Sequence, residues 1–164
     1  PLEGVVVCDV TKRFPFPDNQ FDFVLAFNLM EHVYEYKNMF PETLRVLRNG
    51  GTLIGHAPFI YRYHPDPEDY FRFTRPALIK LLTDYGFSDI RVNPNFTGPI
   101  TLGLDIALSS LLPGRLDLLR VVIIPLCLLC DRLLGKFRRV NKNENYAHGY
   151  TFIATKSIKE VASV

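Results

Sequence analysis

This chain of 164 residues has a small net charge, few cysteines and few long apolar runs. The formal net charge is only +2, and no basic stripe interleaved with aromatic residues is present, so we predict no nucleic-acid partner. The three cysteines are poor material for a disulfide framework, and a reducing, cytoplasmic location is expected. An apolar run over residues 121–130 is too short to span a bilayer.

The sequence also lacks a ligand set with the spacing of a metal site. Cys127 and Cys130 have C-x-x-C spacing, but leucines lie between them and no second ligand pair occurs elsewhere. Cys8 lies in a valine-rich run and is best interpreted as a small buried apolar residue. We therefore predict no metal.

Apolar runs alternate with stretches of helical periodicity along the chain. Helices are expected after Pro41 and from about Pro76, each closed by glycine. The predicted strands cover residues 4–10, 21–27, 52–59, 88–96 and 150–157. This alternation predicts an α/β fold with a doubly wound, mostly parallel sheet. The first run, "GVVVCDV", is apolar on both faces, which is typical of a strand covered by helices.

A long segment, residues 99–147, interrupts this alternation before the last strand. The chain length suits one domain over residues 1–164, with this segment as a helical insertion. Within it, residues 116–139 are strongly apolar and end in a basic cluster. Two interpretations stay open: a lid over the substrate pocket, or a helix lying at a membrane surface.

Polar side chains follow the predicted strands at the edge where such sheets bind ligands. Asn28, Glu31 and His32 come directly after the second strand, and Asp9 ends the first. Asp9 is also a residue type that caps turns, and an acid such as Glu31 is favoured in a first helical turn in any case.

The loop "PFIYRYHPDPEDYFRFT" follows the third strand and is unusually aromatic. Asp69 and Arg72 are spaced to form an ion pair that braces the loop. The alternative is acceptor binding, for which the candidates are Tyr63, Asp69, Tyr70 and Arg72. His64 is the best proton acceptor of the loop, because imidazole titrates near neutral pH.

Several of these stretches together resemble a known family. Asp9, then "FPFPDNQFDFVLAFNLMEHV", then "LRVLRNGGTLIGHAPF" are similar, in order and spacing, to the class I S-adenosylmethionine-dependent methyltransferases that act on small molecules. The resemblance implies a Rossmann-like fold with S-adenosylmethionine as cofactor. It implies that Asp9 and Val10 contact the adenine, and that Asn28 and Leu29 line the methionine part. His32 then lies close to the point of methyl transfer.

One element of the family pattern has no counterpart. The glycine-rich loop after the family's first strand is absent, and we expect a βαβ unit of roughly thirty or more residues to precede Pro1. The chain then carries about half of a cofactor site. Alternatives to an enzyme are a non-catalytic binding module with this fold, or a peripheral membrane adaptor.

The expected chemistry is methyl transfer to a small-molecule or glycan/lipid-precursor acceptor, free or lipid-linked. The sulfonium is already a good leaving group, so the protein mainly positions the acceptor and excludes water. A hydroxyl or activated-carbon acceptor also needs a base, for which His32 and His64 are the candidates.

Overall fold

The structure is a computed structural model that describes residues 4–111, 117–137 and 143–157. Its strands are β1 (Phe21–Phe27), β2 (Leu47–Pro58), β3 (Phe87–Thr97) and β4 (Ala147–Lys156). Its α-helices are α1 (Met39–Val46), α2 (Arg75–Asp84), α3 (Pro99–Leu111) and α4 (Asp117–Phe137). Short 3₁₀ turns cover Met30–His32, Tyr36–Asn38 and Asn143–Tyr146. The predicted strand–helix alternation is therefore present from β1 onward.

The four described strands form one sheet in the order β1-β2-β4-β3. β1 pairs with β2 in parallel, whereas β4 lies antiparallel to both β2 and β3. The last strand in the sequence is thus inserted between two earlier ones. The α/β class is as predicted, but the described part of the sheet is mixed rather than mostly parallel.

The first predicted strand, residues 4–10, is not found as a strand. Its backbone joins no ladder among the described residues, and Val5, Val6 and Val7 are exposed. An apolar, β-branched run becomes a strand only where a neighbour accepts its hydrogen bonds. β1 is the edge of the described sheet, and residues 4–10 do not pair with it.

The hydrophobic core lies on one face of the sheet, beneath α1 and α2. It is centred on five fully or almost fully buried side chains, Phe40, Leu53, Leu78, Leu82 and Phe152. The opposite face is also apolar, but residues such as Leu25 and Ile153, which align across the strands, remain exposed there.

Local signals explain the ends of α2. The hydroxyl of Thr74 accepts a hydrogen bond from the Ala77 amide at 3.3 Å, and Pro76 lies in the first turn. Gly86 follows the helix with a φ of 94°, a conformation that side chains disfavour. This places the start of β3 at Phe87.

Helices α3 and α4 fill the predicted insertion and are joined by a buried carboxylate. Asp131 of α4 accepts hydrogen bonds from the Ile100 and Thr101 amides, at 3.2 and 2.8 Å, and from the Thr101 hydroxyl at 2.7 Å. These amides belong to the first turn of α3, so α4 caps its neighbour. In the three described segments, no helix combines the length and apolar content needed to cross a bilayer.

Candidate functional site

A cleft of about 430 Å³ opens at the carboxyl ends of the parallel strands β1 and β2. All four histidines of the sequence line it, although they come from four separate parts of the chain. Its lining includes His32, His56, His64, His148, Asn28 and Leu29. The cleft is where the rule for α/β sheets places a ligand, and two of the four residues predicted to hold the cofactor, Asn28 and Leu29, are among its walls.

The end of β1 is fixed by contacts between Asn28 and β2. Asn28 has a φ of 49°, in the left-handed region that asparagine tolerates better than most residues. Its amide donates to the His56 carbonyl oxygen at 3.1 Å, and its side-chain oxygen lies 2.6 Å from His56 Nδ1. Burial, and secondarily His148, lower the pKa of His56, which favours the neutral ring. Neutral His56 therefore donates from Nδ1 to Asn28.

His32 and His64 face each other across the cleft, with ring centroids 5.0 Å apart. His32 Nδ1 lies 2.6 Å from the Glu68 carbonyl oxygen, which can only accept, so we assign the hydrogen to this nitrogen. His64 Nδ1 lies 3.1 Å from the Arg62 carbonyl oxygen and 3.2 Å from Asp69 Oδ2, and the same assignment holds. In each neutral ring the lone pair is consequently on Nε2.

Glu31 lies beneath the two rings and is completely buried. Its Oε1 is 3.7 Å from His32 Nε2 and 3.9 Å from His64 Nε2. Neither carboxylate oxygen accepts a well-formed hydrogen bond from another described residue. Burial raises the pKa of Glu31, against the opposing effects of its own backbone amide and then of its histidine and arginine neighbours. Its backbone carbonyl accepts from the Tyr70 amide at 2.7 Å, which ties the aromatic loop to this position.

Asp69 and Arg72 form the brace that their spacing predicts. Both guanidinium nitrogens of Arg72 donate to the Asp69 carboxylate, and they also donate to the carbonyl oxygens of Arg62 and Phe71. Asp69 additionally accepts the His64 amide at 3.0 Å. The Arg72 hydrogen bonds hold the pKa of Asp69 far below its usual range. The pair therefore fixes the position of His64.

The four residues predicted to bind the acceptor do not line the cleft themselves. Asp69 and Arg72 are engaged with each other, Tyr70 packs edge-on against Tyr34 at 5.2 Å, and Tyr63 is exposed. Other residues of the same loop, Tyr61 and Asp66, are part of the lining instead. Acceptor contact by the four thus stays a prediction without support from this geometry.

Asp9 and Val10 lie away from the histidine cleft. Asp9 accepts from the Thr11 amide at 3.0 Å and from the Thr11 hydroxyl at 2.7 Å, and Lys12 is 3.1 Å away. The Thr11 hydrogen bonds lower the pKa of Asp9 to about 2. This is the turn-capping arrangement noted as the alternative for Asp9. Val10 borders a separate apolar hollow with Phe14. Adenine contact by Asp9 and Val10 stays a prediction.

An apolar cavity of about 410 Å³ adjoins the cleft. Tyr61 and His148 line both spaces, so the two are neighbours. The rest of its lining comes largely from the helical pair, with Leu102 on α3 and Ile124 and Pro125 on α4. The insertion thus forms a wall beside the cleft.

Comparison with known proteins agrees with this geometry. Residues 2–55 match the family model described as a methyltransferase domain. A probable S-adenosylmethionine-dependent methyltransferase of Mycobacterium tuberculosis is 30% identical over 99 residues, which are 57% of this chain and 36% of that relative. The chain therefore spans little more than a third of the relative's length.

Solved structures share the fold of this chain. Phosphoethanolamine N-methyltransferase 2 of Haemonchus contortus, in complex with S-adenosyl-L-methionine, superposes with a TM-score of 0.54 at 17% identity, covering 92% of this chain and 36% of that one. The [4+2]-cyclase SpnF gives 0.54 at 19% identity, covering 93% and 55%. At these identities the likeness shows the fold alone, and the predicted Rossmann-like α/β fold is confirmed.

Sequence reasoning missed five residues of the cleft lining: His56, Pro58, Tyr61, Asp66 and His148. His56 lies within the predicted third strand, and His148 lies before the predicted last strand, which the structure extends back to Ala147. The available signal was their place near the strand ends at the cleft edge. For His148 that signal required knowing that β4 runs antiparallel to β2, with Gly149 opposite Pro58.

Proposed function

We propose that this chain is part of an S-adenosylmethionine-dependent methyltransferase. The observation that carries the proposal is the cleft at the carboxyl ends of β1 and β2. Its Asn28, Leu29 and His32 belong to the segment that matches the methyltransferase domain, and they meet His64 from the aromatic loop. From this likeness we propose methyl transfer as the activity of the whole enzyme.

The residues present fit one part of the cofactor. Asn28 and Leu29 line the cleft and would hold the methionine end, whereas Asp9 and Val10 lie outside it. When bound, S-adenosylmethionine supplies an electrophilic methyl group. The chain's own contribution is a base, because His32 and His64 both line the cleft. Either imidazole can take the proton of an acceptor hydroxyl.

Cofactor binding is tested by titrating S-adenosylhomocysteine calorimetrically. We expect saturable binding that Asn28→Ala weakens at least about tenfold, since it removes the side chain at the end of β1. Asp9→Ala tests separately whether the adenine lies at the first loop. Absence of binding to the wild-type chain would contradict the proposal for these residues and favour a non-catalytic module of the same fold.

The acceptor is proposed to be amphipathic, either a small molecule with an apolar part or a lipid-linked precursor. A polar cleft with four histidines adjoins an apolar cavity of similar size, so one molecule can place its reacting group in the first and its chain in the second. The test compares acceptors that share a hydroxylated head group and differ in alkyl length. KM should fall as the chain lengthens, and Ile124→Asp should abolish that dependence. A KM independent of length would contradict the proposal.

A second proposal concerns the outer face of α4, which is apolar and exposed. Six large side chains lie on it, Val121, Val122, Leu126, Leu129, Leu133 and Leu134. Exposed Arg132 and Lys136 lie toward its C-terminal end. This combination suits contact with an anionic lipid surface from the cytoplasmic side. Co-sedimentation with vesicles should require an anionic lipid and be lost in Leu126→Glu/Leu129→Glu. Equal sedimentation of that variant would refute the proposal.

A further inference from the structure

The side chains of Glu31, His32 and His64 bring ligand-type atoms together at the floor of the cleft. One carboxylate oxygen and one nitrogen from each ring all lie within 4.8 Å of one another. Glu31 and His32 come from the 3₁₀ turn after β1, and His64 comes from the aromatic loop after β2. Two imidazoles and one carboxylate are a ligand set that zinc and other divalent transition ions use in proteins.

The two rings are held with their lone pairs toward Glu31. His32 donates from Nδ1 to a backbone carbonyl, and His64 Nδ1 is held by a carbonyl and by the Asp69 carboxylate. Metal-binding histidines characteristically donate their second nitrogen to a carbonyl or carboxylate in this way, which fixes the tautomer and the ring orientation. Asp69 is in turn fixed by Arg72.

Glu31 supplies an independent observation. It is 0% exposed, and its two carboxylate oxygens accept no well-formed hydrogen bond from any other described residue. Arg72, whose charge acts on Glu31, gives its hydrogen bonds to Asp69 and to two carbonyl oxygens instead. A buried carboxylate without a partner is costly and calls for a compensating group.

We propose that Glu31, His32 and His64 bind one divalent transition-metal ion, of the zinc or iron(II) type, through the Glu31 carboxylate and the two Nε2 atoms. Bonds of about 2.1 Å to a tetrahedral ion place its ligand atoms about 3.4 Å apart. The observed Oε1–Nε2 separations are 3.7 and 3.9 Å, and the three ligand atoms lie within 4.8 Å of one another, so binding must draw the ligands together by at most about 1.4 Å. Mg²⁺ and Ca²⁺ prefer all-oxygen sites and are disfavoured here.

This site departs from our expectation that the chain binds no metal, and it does not depend on methyl transfer. Both rings also line the cleft, which leaves coordination positions open to a molecule bound there. With the ion bound, the two imidazole lone pairs are used as ligands and no longer act as the base. An acceptor hydroxyl bound to the ion would instead lose its proton more readily, because a coordinated cation lowers the pKa of a bound hydroxyl.

The test is binding of the metal alone to protein stripped with a chelator. Co²⁺ is titrated by visible absorption, and Zn²⁺ is measured by competition with the bound Co²⁺. We expect one equivalent of Co²⁺ with the intense d–d bands of a low-coordinate histidine site. Glu31→Gln and His64→Gln should each weaken binding at least about 100-fold, whereas His56→Gln, the matched cleft histidine, should change it less than about threefold.

Circular dichroism of each metal-free variant shows whether it is folded. Two ligand variants are used, so that the test still holds if one of them does not fold. Binding unchanged in the folded ligand variants would overturn the proposal. So would an equal loss in His56→Gln, or the absence of stoichiometric binding to the wild-type chain. If the wild-type chain binds no metal, Glu31 is instead a protonated carboxylic acid that donates a hydrogen bond to an imidazole.

Discussion

Replacing Asp69 with asparagine should destabilise the protein strongly although the two side chains have nearly the same shape. The Asp69 side chain is 1% exposed and accepts from both Arg72 guanidinium nitrogens and from the His64 amide. Asparagine keeps one acceptor but turns an NH₂ group toward these donors. It also leaves the Arg72 charge without its partner in a part-buried position.

The magnitude follows from the burial of the pair. Removing one member of a buried, hydrogen-bonded ion pair costs about 3–5 kcal/mol. The Arg72 side chain is 25% exposed, so water screens the stranded charge and the lower end applies, about 3 kcal/mol. With a urea dependence of about 2 kcal/mol per molar, the unfolding midpoint should fall by about 1.5 M.

The assay is urea unfolding followed by circular dichroism, with Glu68→Gln as control. Glu68 lies in the same loop, and its side chain is exposed, so its replacement should leave the midpoint almost unchanged. A free energy of unfolding for Asp69→Asn within about 0.5 kcal/mol of wild type would refute the reasoning, because it would mean that the brace does not stabilise the loop.

The same pair predicts a pH dependence. The Arg72 hydrogen bonds lower the pKa of Asp69 in the folded state. A carboxylate whose pKa is depressed by folding contributes stability that is fully present above its unfolded value, about 3.9, and is lost as the pH falls toward the folded value. The difference between wild type and Asp69→Asn should therefore shrink below about pH 4. A difference that stays constant through the acid range would contradict the assignment.

Three further predictions test the packing around the site. Gly55→Ala would place its Cβ 2.1 Å from the ring of fully buried Phe152, and should cost about 3 kcal/mol in chemical unfolding; a near-neutral result would contradict the packing. Asp131→Ala strands the buried amide and hydroxyl of Thr101, and should cost about 3 kcal/mol in the same measurement, with an unchanged midpoint contradicting the cap. Because burial lowers the pKa of His56, wild type should lose thermal stability relative to His56→Gln as the pH falls below about 6.5, and parallel Tm profiles would contradict it.

Elements with local signals were predictable from the sequence. The Thr74 cap, Pro76 and Gly86 delimit α2, and the apolar runs at β1 and β2 needed no partner information to be recognised. Residues 4–10 carry the same signal and form no strand, because strand formation depends on a neighbour that composition does not reveal. Local pattern therefore identified candidate strands but not their pairing.

The candidate site was likewise predictable in part. Asn28, Leu29, His32 and His64 were expected near the cleft, because each follows a strand whose direction the alternating pattern implies. Their convergence on Glu31 could not be read from spacing, since His64 is brought in by a loop fixed through the Asp69 brace. His148 reaches the cleft only because β4 returns antiparallel between β2 and β3.

The position of β4 between β2 and β3 also constrains the order in which the sheet can form during synthesis. β3 pairs with β4 and with no other described strand, and β2 has β4 along its second edge. While synthesis has reached only Tyr146, β3 has no partner among the described strands and β2 exposes one side to other nascent chains. The sheet can close only after Lys156 has left the exit tunnel, so until then the domain is an incomplete folding intermediate.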